Sequence, residues 1–375
     1  MGHNLINKKH RKDKKLGQIQ VTFNWLYVLL AGGVILLFFA GIVVNQKENA
    51  EKSLSVKIIE DLDSIFTGAY VSDKTQGELP TAGLRDYTFT FECSEGVTEY
   101  GILDRGVVRQ ENLIPIFSPR EIKTEKMYWW SIPYKFPFPI INLLIITSEN
   151  TKYYLLGDLS FAQAFIDDVK KFNLEHLSED QYPVQVNPTK NYQVRIIDLD
   201  GKLNQDSLVP VGLHYMDNDK VSMVSFSIEG VATYYEMVDN SFGDKTWSLI
   251  DSPVKVISLG GEFDSAKYAA IFSATPMDYK CGMQKVFKRM KYVAEIYLER
   301  FKEIKNYHES NPNDGDCVIK LQNRETFFIL LKSQAESCET SYGSDLGSCL
   351  DLLKTAKEIK DYNEELELLS CLNIY

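Results

Sequence analysis

The sequence predicts an α/β fold class: a mixed-sheet ectodomain with a βαβ unit, then an antiparallel helical module, all carried on one N-terminal transmembrane helix. Three patterns predict it. Residues 25–44 form an uncharged apolar run, residues 87–272 break into short β-type runs around one amphipathic helix, and from Pro276 the apolar residues step by threes and fours. At 375 residues, with 44% apolar and 25% charged content, the chain has material for about two domains and a sizeable core.

The first 20 residues form a basic tail. Lys8, Lys9, Arg11, Lys12, Lys14 and Lys15 stand against Asp13 alone, a net of +5 in a chain of net charge −11. The remaining body is therefore acidic, which argues against nucleic acid as a partner, because phosphate binding needs Lys and Arg to displace counterions. Trp25 to Val44 carries no charge, and Val21 and Phe23 extend the apolar run to residues 21–44. At about 1.5 Å per residue, 20 residues span roughly the 30 Å of a bilayer core. Lys47, Glu48 and Glu51 follow the span, so the positive-inside rule places residues 1–20 in the cytoplasm and everything after residue 45 outside. A cleaved signal peptide would have a shorter apolar stretch and a small-residue cleavage site, and "GIVVNQKENAEK" offers none. Membrane lipid is thus the expected partner of residues 21–44.

Leu54, Ile58, Leu62, Ile65 and Phe66 recur at helical spacing, which predicts a helical stalk over residues 45–68. "VSDKTQGELPTAG" then reads as a turn-rich segment, with Gly77, Pro80 and Gly83. The α/β ectodomain is expected over residues 84–274. Its first strands are "YTFTFEC" at 87–93 and "VTEYGIL" at 97–103, paired across Ser94 to Gly96. Further strands are expected at 143–147, 153–156, 192–199, 221–228, 232–237 and 254–259, with a helix at 160–172 entered from Asp158. Strand, helix, strand in so short a span reads as a βαβ unit. Glu229 and Gly230 mark an antiparallel hairpin.

In residues 276–375, Met283, Val286, Met290, Val293, Tyr297, Phe301 and Ile304 mark a first long helix. A second is expected at about 320–338 after "NPNDGD", and a third along Leu352, Ala356, Ile359, Leu366 and Leu369. All six cysteines follow the apolar run, which fits an oxidising compartment, and none has Cys-x-x-Cys spacing. If the three helices run up, down and up, Cys338 and Cys349 meet at one end and Cys317 and Cys371 at the other. Cys281 is left to reach Cys93 or stay free.

Few motifs carry chemistry. "VISLGGEFDSAKYAAIF" at 256–272 reads as a strand, a Gly260-Gly261 turn and a helix capped by Asp264; Glu262 and Asp264 would repel an anion there. "MDNDK" at 216–220 and "NPNDGD" at 311–316 are oxygen-rich but lack the spacing of a calcium loop, and read as solvated turns. His176, His214 and His308 stand too far apart to read as a ligand set. The aromatic run "MYWWSIPYKFPFP" at 127–139 reads as core. No cofactor or metal is therefore expected.

"RIIDLDGKLNQDS" at 195–207 resembles the first motif of the haloacid-dehalogenase-like phosphatases, an apolar strand ending in Asp-x-Asp-Gly-Thr. That resemblance implies Asp198 as nucleophile and Asp200 as general acid. Lys202 stands where the motif has Thr, and no later strand supplies a paired acidic motif. The segment "KKLGQIQVTFNWLYVLLAGGVILLFFAGIVV" is similar to the class III (type IV pilin-like) signal segments of archaea. This implies peptidase cleavage between Gly17 and Gln18 and a polymerising helix, although Leu16 and Thr22 depart from the usual pattern. With the α/β body and the "LSCLNIY" ending, the chain also resembles uncharacterised single-pass membrane proteins predicted from archaeal genomes, which brings no activity with it. The function expected is a membrane-anchored extracytoplasmic binding or scaffold protein with a protein partner in the cell envelope. A pilin-like subunit and an extracytoplasmic phosphatase-like hydrolase using Asp198 and Asp200 are the alternatives.

Overall fold

The computed structural model describes residues 13–72, 75–81, 87–169, 171–188, 192–260, 264–311, 314–342 and 347–375; side chains are described from Trp25 onward, Leu159 excepted. Lys8, Lys9, Arg11 and Lys12, Gly83, Gly261 and Glu262, and parts of "NPNDGD" and of the 338–349 connection lie outside the described residues. The chain divides into two compact units between Leu54 and Ser55.

The first unit belongs to helix α1 (Asp13–Val71). Its apolar side chains face outward, with Trp25 at 70% and Phe38 at 66% exposure. A soluble helix hides such residues on one stripe, whereas this one is apolar all round and is long and apolar enough to cross a membrane. From Ser55 the same helix contributes to the second unit, where Ile58, Ile59, Leu62, Phe66 and Ala69 are buried at helical spacing.

The described residues of the second unit form three sheets. β1 (Gln76–Pro80) pairs with β7 (Lys126–Lys135), β7 with β8 (Pro139–Ser148), and β8 with the two-residue β5 (Ile116–Phe117). A second sheet joins β2 (Phe89–Ser94), β3 (Val97–Ile102), β4 (Val107–Glu111) and β6 (Glu121–Ile122) in the order β4-β3-β2-β6. β2 and β3 pair as the expected hairpin, but Ser94 belongs to the ladder opposite Val97 and the turn narrows to Glu95 and Gly96.

The third sheet is built from β9 (Thr151–Leu156), β10 (Asn173–Leu177), β11 (Gln193–Asp198), β12 (Val221–Phe226), β13 (Val231–Asp239), β14 (Lys245–Leu249) and β15 (Val254–Lys255). Its order is β10-β9-β11-β12-β13-β14, with β15 also on β13. β9, β10, β11 and β12 are parallel, whereas β13 and β14 continue antiparallel. Helix α2 (Leu159–Asp168) joins β9 to β10 as a βαβ crossover, and Asp158 caps it by accepting the Phe161 N–H. The short α3 (Tyr182–Gln185) lies between β10 and β11.

α4 (Ser265–Phe272) and α5 (Pro276–Glu309) then pack on the sheets, followed by α6 (Gly315–Leu321), α7 (Glu325–Ser341) and α8 (Gly347–Leu368). Lys291 pairs with Glu336, Glu295 with Lys332 and Lys302 with Glu325. Numbers rise along α5 as they fall along α7, so the two helices are antiparallel. One apolar core runs from Trp130 and Tyr134 of the sheets through Phe287 and Phe301 to Leu352 and Ile374 of the helical region. A smaller core of Tyr154, Ile196, Met223 and Trp247 covers the other face of the third sheet. Cys93 and Cys281, Cys317 and Cys371, and Cys338 and Cys349 lie at bonding distance.

Three expectations need correction. The turn-rich "TQGELP" contains strand β1, because β7 offers it a ladder from Gln76↔Trp130 to Pro80↔Lys126; as an edge strand it tolerates Pro80. Gly77 has a packing reason to be glycine, since a Cβ there would sit 2.5 Å from the Trp129 ring. The strand expected at 254–259 shrinks to two residues: β14 takes Tyr235–Asp239 of β13, and β15 pairs with β13 only at Val231 and Ala232. The second helix of the C-terminal region is interrupted, with Asn323 at φ 61° separating α6 from α7.

Candidate functional site

In an open parallel sheet, the carboxyl ends of the strands gather loop residues where ligands usually bind. Here Leu156, Asp198 and Ser225 lie side by side at that edge. Asp198 is 1% exposed. One of its oxygens accepts the Asp200 N–H at 3.2 Å; the other accepts the Leu203 N–H at 2.6 Å and the Ser225 hydroxyl at 2.7 Å. The carboxylate ties the turn after β11 to β12. Asp200 accepts the Asp158 N–H at 2.9 Å, tying the same turn to the loop after β9, and its other oxygen lies 3.6 Å from Lys202 Nζ. Gly157 permits this approach: its φ is +82° and a Cβ would fall 2.4 Å from the Asp200 carboxyl carbon. Lys202 also pairs with Glu179.

Around these acids stand Asp158, Asp264 and Lys267. The Ser160 hydroxyl and the α2 N-terminus hold Asp158 below the usual carboxylate range. Asp264 caps α4 through the Lys267 N–H at 3.0 Å, and burial pushes its carboxyl up. The Lys267 ammonium rests 4.3 Å from the Phe161 ring centre and 5.2 Å from that of Phe226. Burial lowers its pKa against the opposing pull of Asp158 and Asp264. Chemically this edge is a brace. Among the described residues no three His, Cys, Asp or Glu are grouped to hold a metal ion, and a carboxylate as buried as Asp198 is closed to a phosphorus-bearing ligand. The residues here therefore do not fit the metal that the phosphatase motif implies.

The other motifs also resolve into local structure. Asn218 of "MDNDK" donates to Asp239, and Lys220 pairs with Asp217. Buried His308 donates from Nδ1 to Asp314 at 2.8 Å while Nε2 accepts the Leu372 N–H, which fixes its tautomer. His176 and His214 bond to the carbonyls of Gly157 and Val209. Trp130, Tyr134, Phe136 and Phe138 of the aromatic run are in the core.

The sequence reading passed over Arg195, although a charge inside the apolar strand "VRIIDL" was the available signal. Its residue is 6% exposed, and it faces a cavity of about 630 Å³ at the opposite edge of the sheet, near the starts of β9, β11 and β12. Nε donates to the Ile271 carbonyl at 3.2 Å and Nη2 to the Ser273 carbonyl at 2.8 Å, so the guanidinium caps the end of α4. It stands 5.3 Å from the Tyr234 ring centre and makes no ion pair among the described residues. Tyr153, Arg195, Ser222 and Glu236 occupy one row across four neighbouring strands, all lining the cavity.

No protein-family model, curated protein or solved structure matches this chain.

Proposed function

We propose that the chain is a membrane-anchored extracytoplasmic protein of the cell envelope whose folded body binds or scaffolds a partner. Residues 21–44 lie in the bilayer on this reading, with residues 1–20 in the cytoplasm. The observation that carries it is the bare apolar surface of α1 from Trp25 to Val44, which a bilayer would cover. Three cysteine pairs at bonding distance support an oxidising location for the body.

The reading assigns no catalysis to Asp198 and Asp200, whose oxygens brace the turn after β11. Turnover of a generic phosphomonoester by the purified full chain with magnesium tests this. We expect any such activity to be unchanged by Asp198→Asn. Magnesium-dependent turnover abolished by that substitution would restore the hydrolase. The intact mass of the membrane-extracted chain tests the pilin-like alternative: an N-terminus at Gln18 would favour it over a plain anchor.

A further inference from the structure

Arg195 is a buried cation without a counter-charge among the described residues. Taking such a group out of water is unfavourable unless a fixed partner compensates it. The two carbonyls at the end of α4 use only part of its capacity, because a guanidinium carries five N–H donors. Capping explains the two bonds. It does not explain why the charge faces a cavity.

The register supplies the second half. Arg195 pairs with Ser222 and Ser222 with Glu236, so all three side chains leave the same face of the sheet. Neighbouring strands lie about 4.8 Å apart, which sets the Arg195 and Glu236 backbones roughly 10 Å from each other. They make no ion pair with each other. Glu236 is exposed at the cavity's rim with Asp219; Arg120 and Lys220 line the same cavity, but they are paired with Asp278 and Asp217. Tyr153, Ile250 and Phe272 supply apolar wall between the charges. The volume falls within the roughly 300–1,000 Å³ of small-molecule sites.

A cation deep in the cavity, acids at its mouth and an apolar wall between them are complementary to a molecule with a carboxylate at one end and an ammonium near it. We infer that this cavity binds a free α-amino acid, its carboxylate on Arg195 and its ammonium on Glu236. The inference rests on the reading of the body as a binding module and names the ligand class.

Isothermal titration of the full chain in detergent micelles with the standard amino acids, one at a time, tests it. The best binder is then compared with its deaminated acid and its decarboxylated amine. The expected result is that one or more amino acids bind, about tenfold more tightly than either counterpart. Glu236→Gln, at an exposed position where folding is not at stake, should weaken the amino acid about tenfold and leave the deaminated acid unchanged. Arg195→Lys should weaken both. Binding by no amino acid, equal binding of the deaminated acid, or affinity untouched by Glu236→Gln would each overturn the assignment. None of these outcomes bears on membrane topology, which protease accessibility measures separately.

Discussion

Asp198 and Lys285 place an acidic and a basic side chain in the interior of the same body, and each is held by hydrogen-bond partners. For Asp198 these are the Ser225 hydroxyl and the Leu203 and Asp200 N–H groups. Removing the carboxylate strands those donors in a buried turn, at about 1–3 kcal/mol for such a group. Asp198→Ala should therefore lower the unfolding free energy by about 3 kcal/mol in urea denaturation. A loss near zero would mean the turn does not depend on it. Lys285 donates to Thr98 Oγ1 at 2.6 Å and to the Glu111 and Ile114 carbonyls at 2.8 and 3.1 Å. Burial lowers its pKa from 10.5 to about 7, with the Glu111 carboxylate resisting. Between those values the unfolded chain holds a proton that the folded chain has lost, so raising the pH favours folding. Relative to Lys285→Met, the native chain should gain about 1.4 kcal/mol per pH unit from pH 7 toward 10. A stability difference that stays flat over that range would show Lys285 fully charged in the fold. Asp198 was visible in the sequence as a motif, but its job was not. A strand running into Asp-x-Asp-Gly reads the same whether the first acid attacks a phosphate or receives the hydroxyl of Ser225, a residue brought beside it only by the sheet.

At the scale of elements, the three cysteine pairs close loops of very different length, with separations of 11, 54 and 188 residues. Chain entropy ranks them accordingly. Replacing Cys338 and Cys349 by serine should cost about 3 kcal/mol, Cys317 and Cys371 about 4, and Cys93 and Cys281 about 5. Denaturant midpoints of the three double variants check the order, and peptide mapping without reduction checks the links themselves. Recovery of Cys338 joined to Cys93 or Cys281 would refute the antiparallel helical arrangement. Elements with strong internal periodicity were legible in advance. α5 announces itself from Met283 to Ile304, α2 from its Asp158 cap, and the β2–β3 hairpin from its alternation. Elements that depend on a neighbour were not. β1 looks like a turn because Gly77 and Pro80 fit one, and it becomes a strand only because β7 offers a ladder. β4, β10 and β14 are edge strands with few buried residues, so their sequences carry little apolar alternation. Arg195 was missed for the same reason: its partners on α4 are distant in sequence.

At the scale of the whole molecule, charge and hydropathy organise the chain more plainly than any local motif. A basic tail precedes an apolar helix with no aqueous face, and an acidic, cysteine-paired body follows. The apolar run was the most legible feature of the sequence, because spanning a bilayer requires only length and composition. What the body does was the least legible, because the cavity on which the proposed binding rests is assembled from residues as far apart as Tyr153 and Glu236. The most direct test of the proposed anchoring is protease treatment of intact cells or spheroplasts, followed by detection of epitopes placed at each terminus. Digestion of the body, with the N-terminal tail and its helix spared until the membrane is broken, is the outcome expected from residues 1–20 inside and residues after 45 outside. A body that survives while the tail is cut would reverse the orientation and remove the oxidising compartment from around the cysteines.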